Sequence, residues 1–348
     1  MKIYTDGITN RNEEFEKLVL KTQEEMKEYI IGRLGNLGKV KHGDGYVYHK
    51  GTFPVLLCAH MDTVHKDRIN TLVYANGTLS SPQGIGGDDR CGIYMIFKIL
   101  KKFDCHVVFL EDEEIGCVGA KKFVKTKTCK KLKEEGLKYI IEFDRKENNH
   151  AVTYDCDNKE FDNFITKEFF KKEYGTCSDI SYIAPALGIA AVNLSCGYYK
   201  EHNIEEWVVL NEMEKVISEA IKVLERTKDL EKPFEYIKGN SYGYNYGYHG
   251  RGYGGYGYDD WYDDHNGWNY NNYNYNKRNH ITKDHITNDN VTTYDKYTFR
   301  YKYNTDDTSV FEKDIYAEDY ATAVYKFFST YKSLRMANVI EVLVKVFS

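Results

Sequence analysis

Four short apolar runs, each leading into residues that can bind a cation, constrain this chain more than any other feature. They are Pro54-Val55-Leu56-Leu57-Cys58-Ala59, His106-Val107-Val108-Phe109-Leu110, Tyr139-Ile140-Ile141 and Ile189-Ala190-Ala191-Val192. Runs so short and so rich in β-branched residues read as strands buried on both faces of a sheet. Helical spacing falls between them, over Cys91 to Phe103, Gly119 to Val124 and Ser178 to Pro185, and an amphipathic stretch from Leu210 to Lys228 closes the unit. This alternation predicts an α/β fold, a three-layer sandwich on a mixed, mostly parallel central sheet. A helix over 12–31 opens the chain, on the spacing of Phe15, Leu18, Val19, Met26, Ile30 and Ile31. Tyr46 to His49 and Leu72 to Leu79 alternate like antiparallel strands, and Asn76-Gly77 offers a hairpin turn.

Residues at the carboxyl ends of strands converge on one crevice in such folds. The first segment there is His60-Met61-Asp62, where a neutral imidazole suits Zn²⁺ and an Asp two residues on can accept from the other ring nitrogen. The second is the loop Gly84-Ile85-Gly86-Gly87-Asp88-Asp89-Arg90, in which Asp88 could bridge two cations or either Asp could cap the following helix. A phosphate-binding loop fails there, because the Gly-Lys-Ser/Thr ending is missing and carboxylates stand where an anion would sit. The third is Glu111-Asp112-Glu113-Glu114, a crowd of like charges that a cation offsets, with one Glu ligating and its neighbour shuttling protons, unless it is a solvated acidic loop. Glu142-Phe143-Asp144 and Glu201-His202-Asn203 complete the set. Together they supply His, Asp, Glu, Asp and His, enough for two Zn²⁺ ions with three ligands each if one carboxylate bridges.

The segments Ala59 to Thr63, Gly87 to Gly92, Glu113 to Gly116, Phe143-Asp144, Thr176 to Asp179 and Glu201 to Asn203 resemble, in order, the signatures of the co-catalytic zinc exopeptidase superfamily. That superfamily includes peptidase T-like tripeptidases, zinc aminopeptidases, carboxypeptidases and aminoacylase-type deacylases, and the resemblance spans residues 10 to 230. It implies that His60 and Asp144 hold one zinc, Glu114 and His202 the other, and that Asp88 bridges them. It further implies that Asp62 orients His60 and that Glu113 is the general base acting on a metal-bridging water. Two Zn²⁺ per chain are expected, with Co²⁺ or Mn²⁺ as alternatives. The implied activity is amide hydrolysis by an aminopeptidase or tripeptidase-like exopeptidase on short peptides. The alternatives are removal of an acyl group from N-acyl amino acids or cell-wall-like fragments, and a non-catalytic binding or assembly protein on a hydrolase scaffold. The complete ligand set argues against the last. Two departures stand out: Arg90 replaces the family's lysine, and the interval from Asp144 to His202 is too short for the lid domain that many relatives insert.

Composition bounds the remainder. Against 53 acidic residues stand 48 basic ones, for a net charge of -5, so neither nucleic acid nor a membrane surface is an expected partner. The eight cysteines form no Cys-x-x-Cys pair and several lie in apolar runs, which suits buried thiols and a cytoplasmic protein. From 239 to 280 the chain turns to Gly, Tyr, Asn and Asp, as in Tyr242-Gly243-Tyr244-Asn245-Tyr246. Such a tract cannot build a core and reads as a linker, or as an adhesive segment for self-association or a polymer. The domains expected are therefore a hydrolase unit over 1–232, the linker, and a small ββαβ module over 290–348, with strands at Tyr294 to Tyr303, Val310 to Tyr316 and Val339 to Phe347 and a helix over Ala321 to Tyr331.

Overall fold

The computed structural model of the chain describes residues 1–6, 9–239, 295–301, 310–317, 323, 326–327 and 339–345. Its first elements are β1 (Lys2–Thr5), α1 (Glu13–Val19), α2 (Gln23–Gly35), β2 (Val40–Gly43), β3 (Tyr46–His49), β4 (Phe53–His60), β5 (Thr71–Ala75) and β6 (Thr78–Ser80). There follow α3 (Gly87–Ile99), β7 (Cys105–Leu110), α4 (Val118–Phe123), α5 (Lys127–Leu132), β8 (Tyr139–Arg145), β9 (His150–Val152), α6 (Lys159–Ile165) and β10 (Lys171–Lys172). The last are α7 (Ile180–Leu187), β11 (Ala191–Ser195), β12 (Tyr198–Tyr199), β13 (Trp207–Val209), α8 (Leu210–Arg226), β14 (Asp295–Tyr301), β15 (Phe311–Ala317) and β16 (Val339–Lys345).

The four apolar runs form the centre of an eight-stranded sheet, ordered β10-β9-β11-β8-β4-β7-β3-β2. There β11, β8, β4 and β7 run parallel, and antiparallel pairs flank them at β9–β11, β7–β3 and β3–β2. Alternation along each strand feeds two cores. Val55, Leu57 and Ala59 of β4 join Ile141 and Phe143 of β8 in a core with Phe15, Met26, Ile93 and Val216 from α1, α2, α3 and α8. Leu56, Cys58 and Ile140 face the other way, onto Phe123, Leu132 and Ile183 of α4, α5 and α7. Helices on both faces of a mixed, parallel-centred sheet are the sandwich expected. Burial of each Val, Leu, Ile, Phe or Met side chain among them contributes about 1.5–3 kcal/mol.

A second sheet is ordered β1-β5-β6-β13-β12, and its Leu72, Tyr74, Leu79 and Val208 join the first of these cores. Its β5–β6 hairpin turns at Asn76 and Gly77, both at positive φ (53° and 78°), as the Asn-Gly pair predicts. The hairpin of β12 and β13 is closed by stacked Tyr199 and Trp207 rings, with centroids 5.7 Å apart. It carries residues 200–206.

The structure differs from the sequence reading over 12–31, where two helices replace one. Thr22 caps α2 by accepting from Glu25 N–H at 3.3 Å while the Glu25 carboxylate accepts from Thr22 N–H at 3.0 Å, and this reciprocal pair starts a new helix. Beyond α8, Phe234 packs its ring against Phe161, Phe164 and Tyr139, so the fold continues past 232. All eight cysteines are unpaired and seven are buried. Among the described residues, no helix is long and apolar enough to cross a membrane.

The C-terminal strands form a three-stranded sheet, β15-β14-β16. Tyr297, Phe299, Ile315, Ala317, Ala323 and Phe327 share one apolar cluster with Val73 and Ala75 of β5. The helix expected over Ala321 to Tyr331 is described only at 323, 326 and 327, which are helical. The Gly/Tyr/Asn tract lies, from 240 on, outside the described residues.

Candidate metal centre

The site forms where β4, β7 and β8 end, because parallel neighbours bring their carboxyl ends to one rim. His60 is the last residue of β4 and is 1% exposed. Its Nδ1 donates to Asp62 Oδ1 at 3.2 Å, and its Nε2 lies 3.0 Å from Asp88 Oδ1 and 3.4 Å from Asp144 Oδ1. On the other side, His202 Nε2 lies 2.9 Å from Glu114 Oε2 and 3.3 Å from Asp88 Oδ2. Asp88 thus turns one oxygen toward each imidazole.

The two adjacent aspartates divide the alternatives left open by the sequence. Asp89 is fully buried and spends its oxygens on backbone, accepting from Gly92 N–H at 2.8 Å and His60 N–H at 3.2 Å. It satisfies an N–H just beyond the kink that Asp88 and Asp89 make inside α3, and it anchors the end of β4. Two groups of donors lie within 4.8 Å of one another, His60 with Asp88 and Glu114 and His60 with Asp89 and Asp144. Because Asp89 is already committed to two N–H groups, Asp88 is the better ligand of the pair.

The acidic run after β7 divides in the same way. Glu111 accepts from Lys27 Nζ at 2.6 Å and Gly45 N–H at 2.9 Å, and Asp112 accepts from Gln23 Nε2 at 2.9 Å. Glu114 reaches His202, and Glu113 precedes it in the same loop. Their backbone N–H groups donate to Asp62 Oδ1 and Oδ2, each at 3.0 Å, so one carboxylate orients His60 and fixes the loop bearing both glutamates. Glu114 Oε1 is buried with no hydrogen-bond partner among the described residues. Glu113 Oε1 faces Cys117 Sγ at 3.5 Å, and burial raises its pKa above the ordinary value.

Asp144 is clamped from β11 and from the segment just before α7. Asn193 Oδ1 accepts from Asp144 N–H at 2.9 Å while its Nδ2 donates to the Asp144 carbonyl at 3.0 Å, and the Ser178 hydroxyl reaches Asp144 Oδ2 at 3.0 Å and Glu142 Oε2 at 2.5 Å. Buried Arg90 donates to the carbonyls of Met61, Asp62 and Lys21 at 2.6, 3.0 and 3.1 Å. A guanidinium fork satisfies three separate carbonyls, which one compact ammonium reaches less well.

Charges are compressed here. Burial, then Asp88, pushes Asp144 up to about 7. Burial opposes the His60 imidazolium, yet Asp144, Asp62 and Asp88 together hold it well above the ordinary histidine value. Hydrogen bonds to the Asp88 and Glu114 carboxylates push His202 up to about 11. Each imidazole stands between carboxylates, His60 between Asp88 and Asp144 and His202 between Asp88 and Glu114, an acidic surround that a divalent ion would offset. With the unpartnered Glu114 oxygen and the two-faced Asp88, the donor set suits zinc.

Every site residue expected from sequence is therefore at this rim. Those not expected are Asn193, His65 and Glu206. Asn193 carried a signal, being a polar side chain within the apolar run of β11. The other two carried none.

The comparisons with known proteins agree with this architecture. The fold is shared with a solved aminopeptidase structure. The chain is similar to the aminopeptidase PepT from Bacillus cereus ATCC 10987, with a TM-score of 0.50 and 16% identity over 62% of this chain and 97% of that one. A tripeptidase from Staphylococcus aureus subsp. aureus Mu50 gives a TM-score of 0.47 and 13% identity, over 62% and 97% of the two chains. A Zn-dependent exopeptidase from Parabacteroides distasonis ATCC 8503 gives 0.43 and 13%, over 60% and 94%. At such identities the likeness is one of fold. No family model and no curated protein sequence matches the chain.

Proposed function

We propose that this chain is a zinc-dependent peptidase for short peptides, with His60 and Asp144 at one zinc, Glu114 and His202 at the other, and Asp88 shared between them. Asp88 carries the reading. Its Oδ1 lies 3.0 Å from His60 Nε2 and its Oδ2 lies 3.3 Å from His202 Nε2, the disposition a bridging carboxylate needs. Zinc bound there supplies a Lewis acid for the scissile carbonyl and lowers the pKa of water toward about 7.

The chain's own groups do the rest. Asp62 holds His60 through Nδ1, leaving Nε2 for the ligand position. Glu113, fixed by the Asp62 contact to its N–H, takes the proton of the attacking water and returns it to the leaving amine. The fold shared with aminopeptidase PepT supports a peptide substrate and release of an N-terminal residue.

The test is elemental analysis of wild type and His202→Ala, with turnover of a di- and tripeptide library read by mass spectrometry. About two zinc ions per wild-type chain, about one in the variant, and release of N-terminal residues are the expected results. Metal without peptide cleavage would favour an acyl-amino-acid substrate. A chain that binds no metal from a zinc-supplied buffer sinks the proposal.

A further inference from the structure

Glu206 is fully buried although it stands in the β12–β13 hairpin loop, four residues after His202. Its carboxylate is fully engaged. Oε1 accepts from Asp88 N–H at 2.9 Å, and Oε2 accepts from Gly86 N–H and from His65 Nε2, each at 2.9 Å. Three segments far apart in sequence meet on one side chain: the stretch after β4, the glycine-rich loop, and the hairpin that carries His202.

The glycines of that loop are explained by the same approach. A Cβ on Gly84 would lie 2.2 Å from the His65 ring, and one on Gly87 would lie 2.8 Å from Val208 Cγ2 and 3.1 Å from Glu206 Oε1. Gly86 adopts φ +60°, where a side chain is strained. The run Gly84-Ile85-Gly86-Gly87 is therefore shaped to close on Glu206.

One hairpin thus holds Asp88 twice, by its backbone through Glu206 and by its carboxylate through His202. We infer that Glu206 is a positioning residue that sets the Asp88 carboxylate with one oxygen toward each imidazole, and so sets the affinity of the shared ligand for both zinc ions. The inference rests on the reading of Asp88 as that shared ligand. A carboxylate accepts from all three donors at once. A glutamine keeps one acceptor for Asp88 N–H but must turn its own N–H₂ toward Gly86 and His65.

Zinc affinity, measured by competition against a chromophoric chelator on the full chain, tests this in wild type, Glu206→Gln and His65→Ala. Glu206→Gln should bind zinc about 10–100-fold more weakly, as loss of an outer-shell partner does, and its kcat should fall while KM stays within about twofold. His65→Ala leaves Glu206 in place and should weaken binding by a smaller factor, about threefold or more. Folded Glu206→Gln protein with wild-type zinc affinity and kcat would overturn the inference and leave the metal-site reading intact. Should Glu206→Gln fail to fold, unchanged zinc affinity in His65→Ala would overturn it equally. A wild type that binds no zinc would remove both.

Discussion

Asp62 Oδ1 lies 3.2 Å from His60 Nδ1, and the same carboxylate accepts the backbone N–H groups of Glu113 and Glu114 at 3.0 Å each. One side chain therefore fixes the ring that faces Asp88 and the loop that bears both glutamates. Asp62→Asn keeps the size but loses an acceptor, so one of these contacts must fail. Zinc affinity is expected to fall about 10–100-fold, measured by chelator competition. Wild-type affinity in the variant would show that the strand end alone orients His60.

Glu113→Gln separates chemistry from metal binding. Among the described residues Glu113 has no ion-pair contact with an imidazole, whereas Glu114 Oε2 stands 2.9 Å from His202 Nε2. The amide variant should keep wild-type zinc content and lose about 10²–10⁴-fold in kcat, the range for a removed general base. Loss of zinc from the variant would instead make Glu113 a ligand.

Three of the segments at the rim were legible because each follows an apolar run, and parallel strands of a sandwich converge at one rim; His60, Glu114 and Asp144 stand in them. Asp88, in a glycine-rich loop, and His202, in a hairpin loop, were picked out by the resemblance. Glu206 was not, because it serves backbone N–H groups in a glycine loop, and such donors leave no complementary side chain to read. The break at Thr22 was hidden for a different reason: the apolar spacing of Leu18, Val19 and Met26 runs through the capping box. The strands β9, β10 and β12 are two or three residues long, too short to show a period. The strand β1 pairs in parallel with β5, with Lys2 opposite Thr71, a partner that no local pattern announces.

The C-terminal sheet supplies Phe299, which is fully buried and stacks on Phe327 with ring centroids 4.3 Å apart, in the cluster that includes Val73 and Ala75. Phe299→Ala should destabilise by about 3–5 kcal/mol through lost burial and a cavity. Because the cluster joins β14 to β5, the loss should lower the one unfolding transition of the hydrolase unit in urea. A separate minor transition that alone moves would mean that the C-terminal strands unfold independently.

His106 gives a pH dependence away from the metal centre. It is 3% exposed on β7, with the Tyr48 hydroxyl 2.9 Å from its Nδ1 and the Tyr48 ring stacked on it. Burial depresses its pKa below the ordinary value, against a smaller opposing pull from Glu135. In the unfolded chain it titrates near about 6.5. The folded state thus binds its proton less readily, so its contribution to stability is complete above about pH 6.5 and is lost as the pH falls toward the depressed value. His106→Gln removes the titration while keeping a polar group for Tyr48. The fall in melting temperature between pH 8 and pH 5.5 should be smaller in the variant than in wild type, by calorimetry at constant ionic strength. Equal falls would show that Tyr48 accommodates the protonated ring and that His106 titrates as it does in the unfolded chain.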